Sequence, residues 1–195
     1  MVQLPPPTIA YLYQSGLDHI RQAYAAAAGA LENAAREAKA ASLDYASSGK
    51  DDSVYEFEDG HPVLISSTQH ELDSARVEVA YSVRAIREAF VISSFHYWEK
   101  WARSITKQSG RNDTFDVLRR KMSINYEVHE QLCGLNHLTN LLKHGTGAAY
   151  HARQLATTRP DLFLRLPEGD DGWILKMTDE TVQEAFAIIS GSGPK

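Results

Sequence analysis

Residues 8–40 read TIAYLYQSGLDHIRQAYAAAAGALENAAREAKA, and their apolar spacing decides the fold class. Ile9, Tyr13, Leu17, Ile20, Tyr24, Ala27, Leu31, Ala34 and Ala38 recur every three or four residues. At about 100° per residue they form one continuous stripe, as in an amphipathic helix and unlike a strand. Thr8 is the expected N-cap, after Pro5-Pro6-Pro7, and Ser47-Ser48-Gly49 the expected end. The alanine-rich middle has high helix propensity and lets a neighbouring helix approach closely.

Working outward, residues 50–66 are acidic and broken by Gly60 and Pro62, which predicts a loop with a short extended piece at Val63-Leu64-Ile65. Residues 68–107 resume helical spacing through Leu72, Ala75, Val79, Val83, Ile86, Phe90, Tyr97 and Trp101. From Val91 a second face, with Phe95, Trp98 and Ile105, is also apolar. Such a helix is either central or meets another subunit, and Val91–Ile105 is the first choice for a dimer interface. Tyr97, Trp98 and Trp101 read as core, with a base-stacking platform as the alternative.

Ser109-Gly110-Arg111-Asn112 predicts a turn, with Asp113 or Thr114 capping a short helix that carries Arg119-Arg120-Lys121. A further helix is predicted over 126–144. Leu162–Leu166 and Trp173–Met177 flank a Gly-rich turn and predict a β-hairpin. Thr178 caps a last helix whose Val182, Phe186 and Ile189 face inward. The expectation is a mainly α fold: a bundle of long helices over 8–155, with a small C-terminal β-hairpin and final helix over 160–192, forming one domain over 1–195.

Composition excludes several classes. Of 195 residues, 43% are hydrophobic and 23% charged, so a core forms without crosslinks or metals. The single cysteine, Cys133, cannot make an internal disulfide, and Met1–Pro7 lacks the basic-then-apolar pattern of a secretory leader. The longest apolar run, residues 23–31, falls far short of the roughly 20 residues that span a bilayer. These features predict a soluble, cytoplasmic protein. The net charge of −5 is uneven: residues 99–159 carry 10 Lys and Arg against 5 Asp and Glu, so that segment alone offers the local positive potential a nucleic acid needs.

The helix predicted over 126–144 carries the candidate chemistry. Val128, Leu132, Leu135, Leu138 and Leu142 form its core face, and Glu130, Cys133, His137, Asn140 and His144 line the opposite stripe. Three readings are open. In the first, Lys143 and His144 complement the helix dipole and Gly145 stops the helix. In the second, Cys133, His137 and a carboxylate bind zinc. In the third, His144 is a general acid/base for RNA phosphodiester cleavage, Asn140 orients it or holds a phosphate oxygen, and Lys143 stabilises the transition-state charge. Arg119, Arg120, Lys121 and Arg153 are the candidate phosphate contacts. The other histidines, His19, His61, His70 and His151, lie in unrelated sequence contexts, and His96 beside Glu99 reads as a buried or interfacial hydrogen-bonded residue. No phosphate-cradling Gly loop or nucleotide-binding Gly motif is present, so no cofactor is implied.

Asn140-Leu141-Leu142-Lys143-His144-Gly145, preceded by long helices and followed by a Gly-containing loop, resembles the signature of the HEPN superfamily. That signature is an arginine, then a polar residue that is often asparagine, then a few residues and a histidine near a helix end. Asn140 and His144 match it, and Thr139 stands where the arginine is expected. The resemblance implies a small helical-bundle protein of toxin–antitoxin, phage-defence or RNA-processing systems. It further implies a homodimer that pairs two motifs and, in active members, a metal-independent endoribonuclease. Members without the full motif act as non-catalytic modules that bind RNA, nucleotide or a partner protein.

Overall fold

The computed structural model describes residues 5–106, 114–166 and 172–195. The turn predicted at Ser109–Asn112, the cap candidate Asp113 and the turn residues Glu168–Asp171 lie outside them. The chain is mainly helical: α1 (Pro6–Ser47), β1 (Val54–Glu58), β2 (His61–Ser66), α2 (Thr68–Ile105), α3 (Phe115–Met122), α4 (Leu132–His144), α5 (Ala149–Thr158), β3 (Phe163–Arg165), β4 (Ile174–Leu175) and α6 (Asp179–Ser190). No helix among the described residues is long and apolar enough to cross a membrane.

Three boundaries differ from expectation. α1 begins at Pro6, not after Thr8, because prolines are tolerated in a first turn whose N–H groups lack partners anyway. α4 begins at Leu132 instead of 126. The His129 N–H is taken by Ser192 Oγ (3.0 Å) and that of Gln131 by His129 Nδ1 (3.2 Å), so neither N–H enters the i→i−4 ladder. Residues 54–66 form an antiparallel hairpin, not a loop. Asp59 and Gly60 both adopt positive φ (51° and 81°), as the tight turns that join twisted strands require.

Compactness divides the chain into two units, residues 1–24 with 87–195, and residues 25–86. β3, β4 and α6 lie in the first unit with α3, α4 and α5. There the core joins Tyr13 and Leu17 of α1, Phe95 and Trp98 of α2, Leu118 of α3, Leu132 of α4, Leu155 of α5 and Phe186 and Ile189 of α6, all essentially inaccessible. Trp98 donates its indole N–H to the Ser192 carbonyl (2.7 Å), and Tyr13 donates its hydroxyl to the Ile189 carbonyl (2.6 Å). Trp98 contacts Phe115, while Tyr97 and Trp101 stack against Tyr13. Val91, Phe95, Trp98 and Ala102 of α2 are thus buried within the chain. Phe95 and Trp98 are core, while Tyr97 and Trp101 are half-buried against Tyr13.

α6 is capped as expected, the Thr178 hydroxyl accepting from the Thr181 N–H in a reciprocal pair. Tyr24 donates to Asp179 beside it. Desolvation, then this carboxylate, pushes the Tyr24 phenol up to about 12.

The second unit is different. Between Ala25 and Ile86 the only buried residues are Ser42 and Ser67, and Val54, Tyr55, Phe57, Val63, Leu64 and Ile65 are all exposed, Phe57 at 75%. Ser42 donates to Asp73 (2.8 Å) and accepts from Gln69 (3.2 Å), which links α1 to α2 there.

The two glycine environments of α1 and the C-terminal tail predict opposite stability effects. A Cβ at Gly193 would lie 2.6 Å from the buried Tyr13 ring, so Gly193→Ala should cost about 1–3 kcal/mol by overpacking. Nothing approaches a Cβ at Gly29, so Gly29→Ala should stabilise α1 by about 0.5–1 kcal/mol. Urea unfolding midpoints read both, and a neutral Gly193→Ala would refute the packing described here.

Candidate functional site: the turn between α4 and α5

α4 buries Leu132, Leu135, Leu138 and Leu141, with Leu142 half-exposed, and turns the polar stripe outward. Gly145 (φ +53°) stops the helix, its N–H bonding the Leu141 carbonyl, so the predicted stop signal operates. That role leaves the preceding side chains free: Lys143 and His144 are both exposed.

A short 3-10 turn, Gly145–Ala148, reverses the chain and brings α5 back along α4. The reversal places His151 against His137, with Nδ1 to Nδ1 at 2.8 Å and ring centroids 5.1 Å apart. Two nitrogens at that distance share one proton, so one ring donates and the other accepts. Tyr150 packs edge-on to both, at 5.3 Å from His151 and 6.0 Å from His137, while itself 60% exposed.

The electrostatics favour neutral imidazoles. Desolvation, then the charge of His151, lowers the pKa of His137, and Asp116 at the start of α3 opposes this. Desolvation, then the charges of His144 and Lys143, lowers that of His151. The charges of His144 and Lys143, at the end of α4, thus bear on His151 across the turn. Sequence spacing alone placed His151 in an unrelated context, and the structure corrects that. The missed signal was the seven-residue step from His144 to His151 across two glycines, Gly145 and Gly147, which bend the chain back.

The other site residues are placed as follows. Asn140 is half-buried, and its amide donates to the Asn136 carbonyl (2.8 Å) and Oδ1 (3.1 Å), not to His144. Thr139, at the motif's arginine position, is 0% exposed and donates to the Leu135 carbonyl (2.8 Å), so this position faces the core. Arg119, Arg120 and Arg153 are exposed and Lys121 half-exposed. Arg119 is 4.0 Å from Asp116. His96 is exposed, not buried, and bonds Glu99 (2.8 Å). Among the described residues no three His, Cys, Asp or Glu side chains converge as metal ligands, so Cys133 and His137 lack the carboxylate that the zinc reading needs.

Below the histidines, α4, α5 and α6 enclose a cleft of about 490 Å³. His137 and Cys133 line it, with Leu135, Leu138 and Leu155 as apolar walls. At its far side Arg159 binds Glu184 (2.6 and 2.9 Å) and Asp161 (2.9 and 2.8 Å), and its guanidinium is held well above its ordinary pKa by these two carboxylates.

Comparison with known proteins gives no match to this chain among family models, curated proteins or solved structures.

The pair of depressed histidines carries a pH signature. Their folded pKa values lie below the ordinary 6.5, so the unfolded chain takes up protons that the fold resists. Stability from this pair is complete above about pH 7 and falls as the pH drops through 6.5 toward the folded values. Thermal unfolding between pH 7.5 and 5.5 should show a decline that His137→Gln with His151→Gln flattens. An identical decline in the double variant would mean that the pair does not titrate as described.

Proposed function

We propose that the α4–α5 turn is the RNA-binding site of a HEPN-like protein, with His144 as the acid/base of a metal-independent phosphodiester cleavage. The observation that carries this reading is the grouping of exposed His144 and Lys143 with the His137–His151 pair. Cleavage by transesterification needs a group to take the 2′-hydroxyl proton as its oxygen attacks phosphorus. It needs another to protonate the departing 5′-oxygen as the P–O bond breaks. Two neighbouring imidazoles meet that need, giving a cyclic phosphate and a free 5′-hydroxyl.

In this assignment His151, kept neutral by burial and by its cationic neighbours, accepts the proton. His144 delivers one to the leaving oxygen, and Lys143 stabilises the extra charge on phosphorus. His137 holds His151 by the shared proton, the part first expected of Asn140, which is tied to Asn136. With Thr139 in the core, the positive charge supplied in the superfamily by arginine comes from Lys143 and from the exposed Arg119, Arg120 and Arg153. A toxin, phage-defence or RNA-processing role follows from the same resemblance.

A second reading, a non-catalytic module that works as a homodimer, is favoured by the β1–β2 hairpin. Cross-strand pairing puts Tyr55, Phe57, Pro62 and Leu64 on one face, uncharged and exposed, with Glu56 and Glu58 on the other. Such a face can meet its own copy without opposing like charges, and an isolated two-stranded sheet is marginal in water.

RNA incubated with the protein in EDTA should be cleaved, and His144→Ala should slow cleavage by about 10²–10⁴-fold. Equal persistence of the RNA with wild type and variant would remove the enzyme reading. Arg119→Glu with Arg120→Glu should weaken RNA binding and shallow its salt dependence by about two phosphate contacts; an unchanged slope would remove α3 from the site. For the second reading, light scattering should find a dimer that Phe57→Asp converts to monomer.

A further inference from the structure

The segment from α4 through α5 carries charge of one sign only. Residues 131–160 contain no Asp or Glu, although the chain has 25, and they include Lys143, Arg153 and Arg159 with His137, His144 and His151. Arg159 is spent on Glu184 and Asp161. Lys143 and Arg153 are exposed and enter no ion pair among the described residues. From outside the segment Asp116 of α3 acts on His137, and Arg119 lies 4.0 Å from that carboxylate. A Cβ at Gly145 or Gly147 would meet nothing within 4 Å, so the turn between His144 and Tyr150 leaves room for a chain to pass close to its backbone.

Tyr150 follows that turn as the second residue of α5. It is 60% exposed, yet its ring is held by two steep contacts, 6.0 Å and 72° from His137 and 5.3 Å and 79° from His151. Such edge-to-face packing fixes the direction of the ring, so a ligand has little side-chain freedom left to remove. At that exposure one face of the ring is open to solvent. Arg153, three residues on and also exposed, is its neighbour on the outer face of α5. An open aromatic face beside a guanidinium, in a segment without carboxylates, suits an unpaired base whose phosphates lie alongside it.

We infer that Tyr150 is the stacking platform for a base of single-stranded RNA, with Lys143 and Arg153 meeting the flanking phosphates. The inference rests on the RNA reading given above and names its substrate class. Every base has a π-face, so the platform accepts all four and sets no sequence preference. It does select strandedness, because in a duplex the bases are stacked on one another and offer no face. Tyr150 packs directly on His151. A base seated on its open face therefore places the adjoining ribose beside the group assigned to take the 2′-hydroxyl proton.

The test uses the intact chain and two fluorescein-labelled strands that resist cleavage: a mixed-sequence 2′-O-methyl 10-mer, and a 10-mer of abasic deoxyribose units with the same phosphates. Anisotropy should show the base-bearing strand bound about tenfold tighter than the abasic strand, and tighter than its own duplex. Tyr150→Ala should remove that advantage and leave the abasic strand bound as before. Tyr150→Phe, which keeps a ring face, should retain it. Lys143→Glu should weaken both strands alike. Equal affinity for the two strands in wild type, with Lys143→Glu still weakening each, would overturn the platform and leave the RNA reading standing. A loss of equal size on both strands in Tyr150→Ala would assign the tyrosine to holding the turn in shape, and would overturn the platform as well. A duplex bound as tightly as the single strand would overturn the substrate class. No binding of either strand by wild type would remove the platform and the RNA reading together.

Discussion

The first unit depends on one buried hydrogen bond, from the Trp98 indole N–H to the carbonyl of Ser192. Around it the C-terminal tail is held against the start of the chain. Gln14 donates to the Pro194 carbonyl (2.9 Å), Tyr13 to that of Ile189, and Ser192 Oγ donates to Ile188 while accepting from His129. These contacts join residues up to 180 apart in sequence. Each satisfies a polar group in the interior, where a missing partner costs about 1–3 kcal/mol. Trp98 has no exposure, so the tail is part of the core that surrounds it.

The site inherits its shape from that core. Ser192 withdraws the His129 N–H from helix formation, so α4 starts at Leu132, and Gly145 ends it three and a half turns later. Between these limits the leucine face is anchored and the polar stripe is presented outward. The reversal after Gly145 then costs His137 and His151 part of their hydration and sets them nitrogen to nitrogen. Burial and neighbouring positive charge act in the same direction on His151, so the pair stays neutral at physiological pH and can exchange a proton.

Charge is distributed with comparable effect. Residues 25–86 carry eleven Asp and Glu against five Lys and Arg, and no Lys or Arg lies between Asp51 and Ser66. That unit buries no apolar side chain, so its helices are stabilised by local propensity and by half-buried contacts such as those of Leu72, Val79 and Val83. The basic residues cluster instead in 99–159, which contains the proposed site. Positive charge is therefore concentrated in 99–159, while the β1–β2 hairpin is acidic.

Helical periodicity along residues 8–40 and 68–107, the stop at Gly145, the C-terminal hairpin and the Thr178 cap were all legible in the sequence, because each depends on residues within one or two turns of one another. The first hairpin was equally local, in Asp59-Gly60, but its acidic flanks and Pro62 masked the alternation. Three things required tertiary structure. The arginine position of the motif faces the core, since Thr139 sits on the leucine side of α4. The aromatics of α2 pack against Tyr13, from a helix more than eighty residues away, and against Phe115 of the next helix. His151 belongs to the site because a chain reversal brings it to His137. The sequence by itself determined which segments are helices and which residue types line them; which of those residues meet was decided by long-range packing, because burial and hydrogen-bond satisfaction act between segments and leave no periodic trace within any one of them.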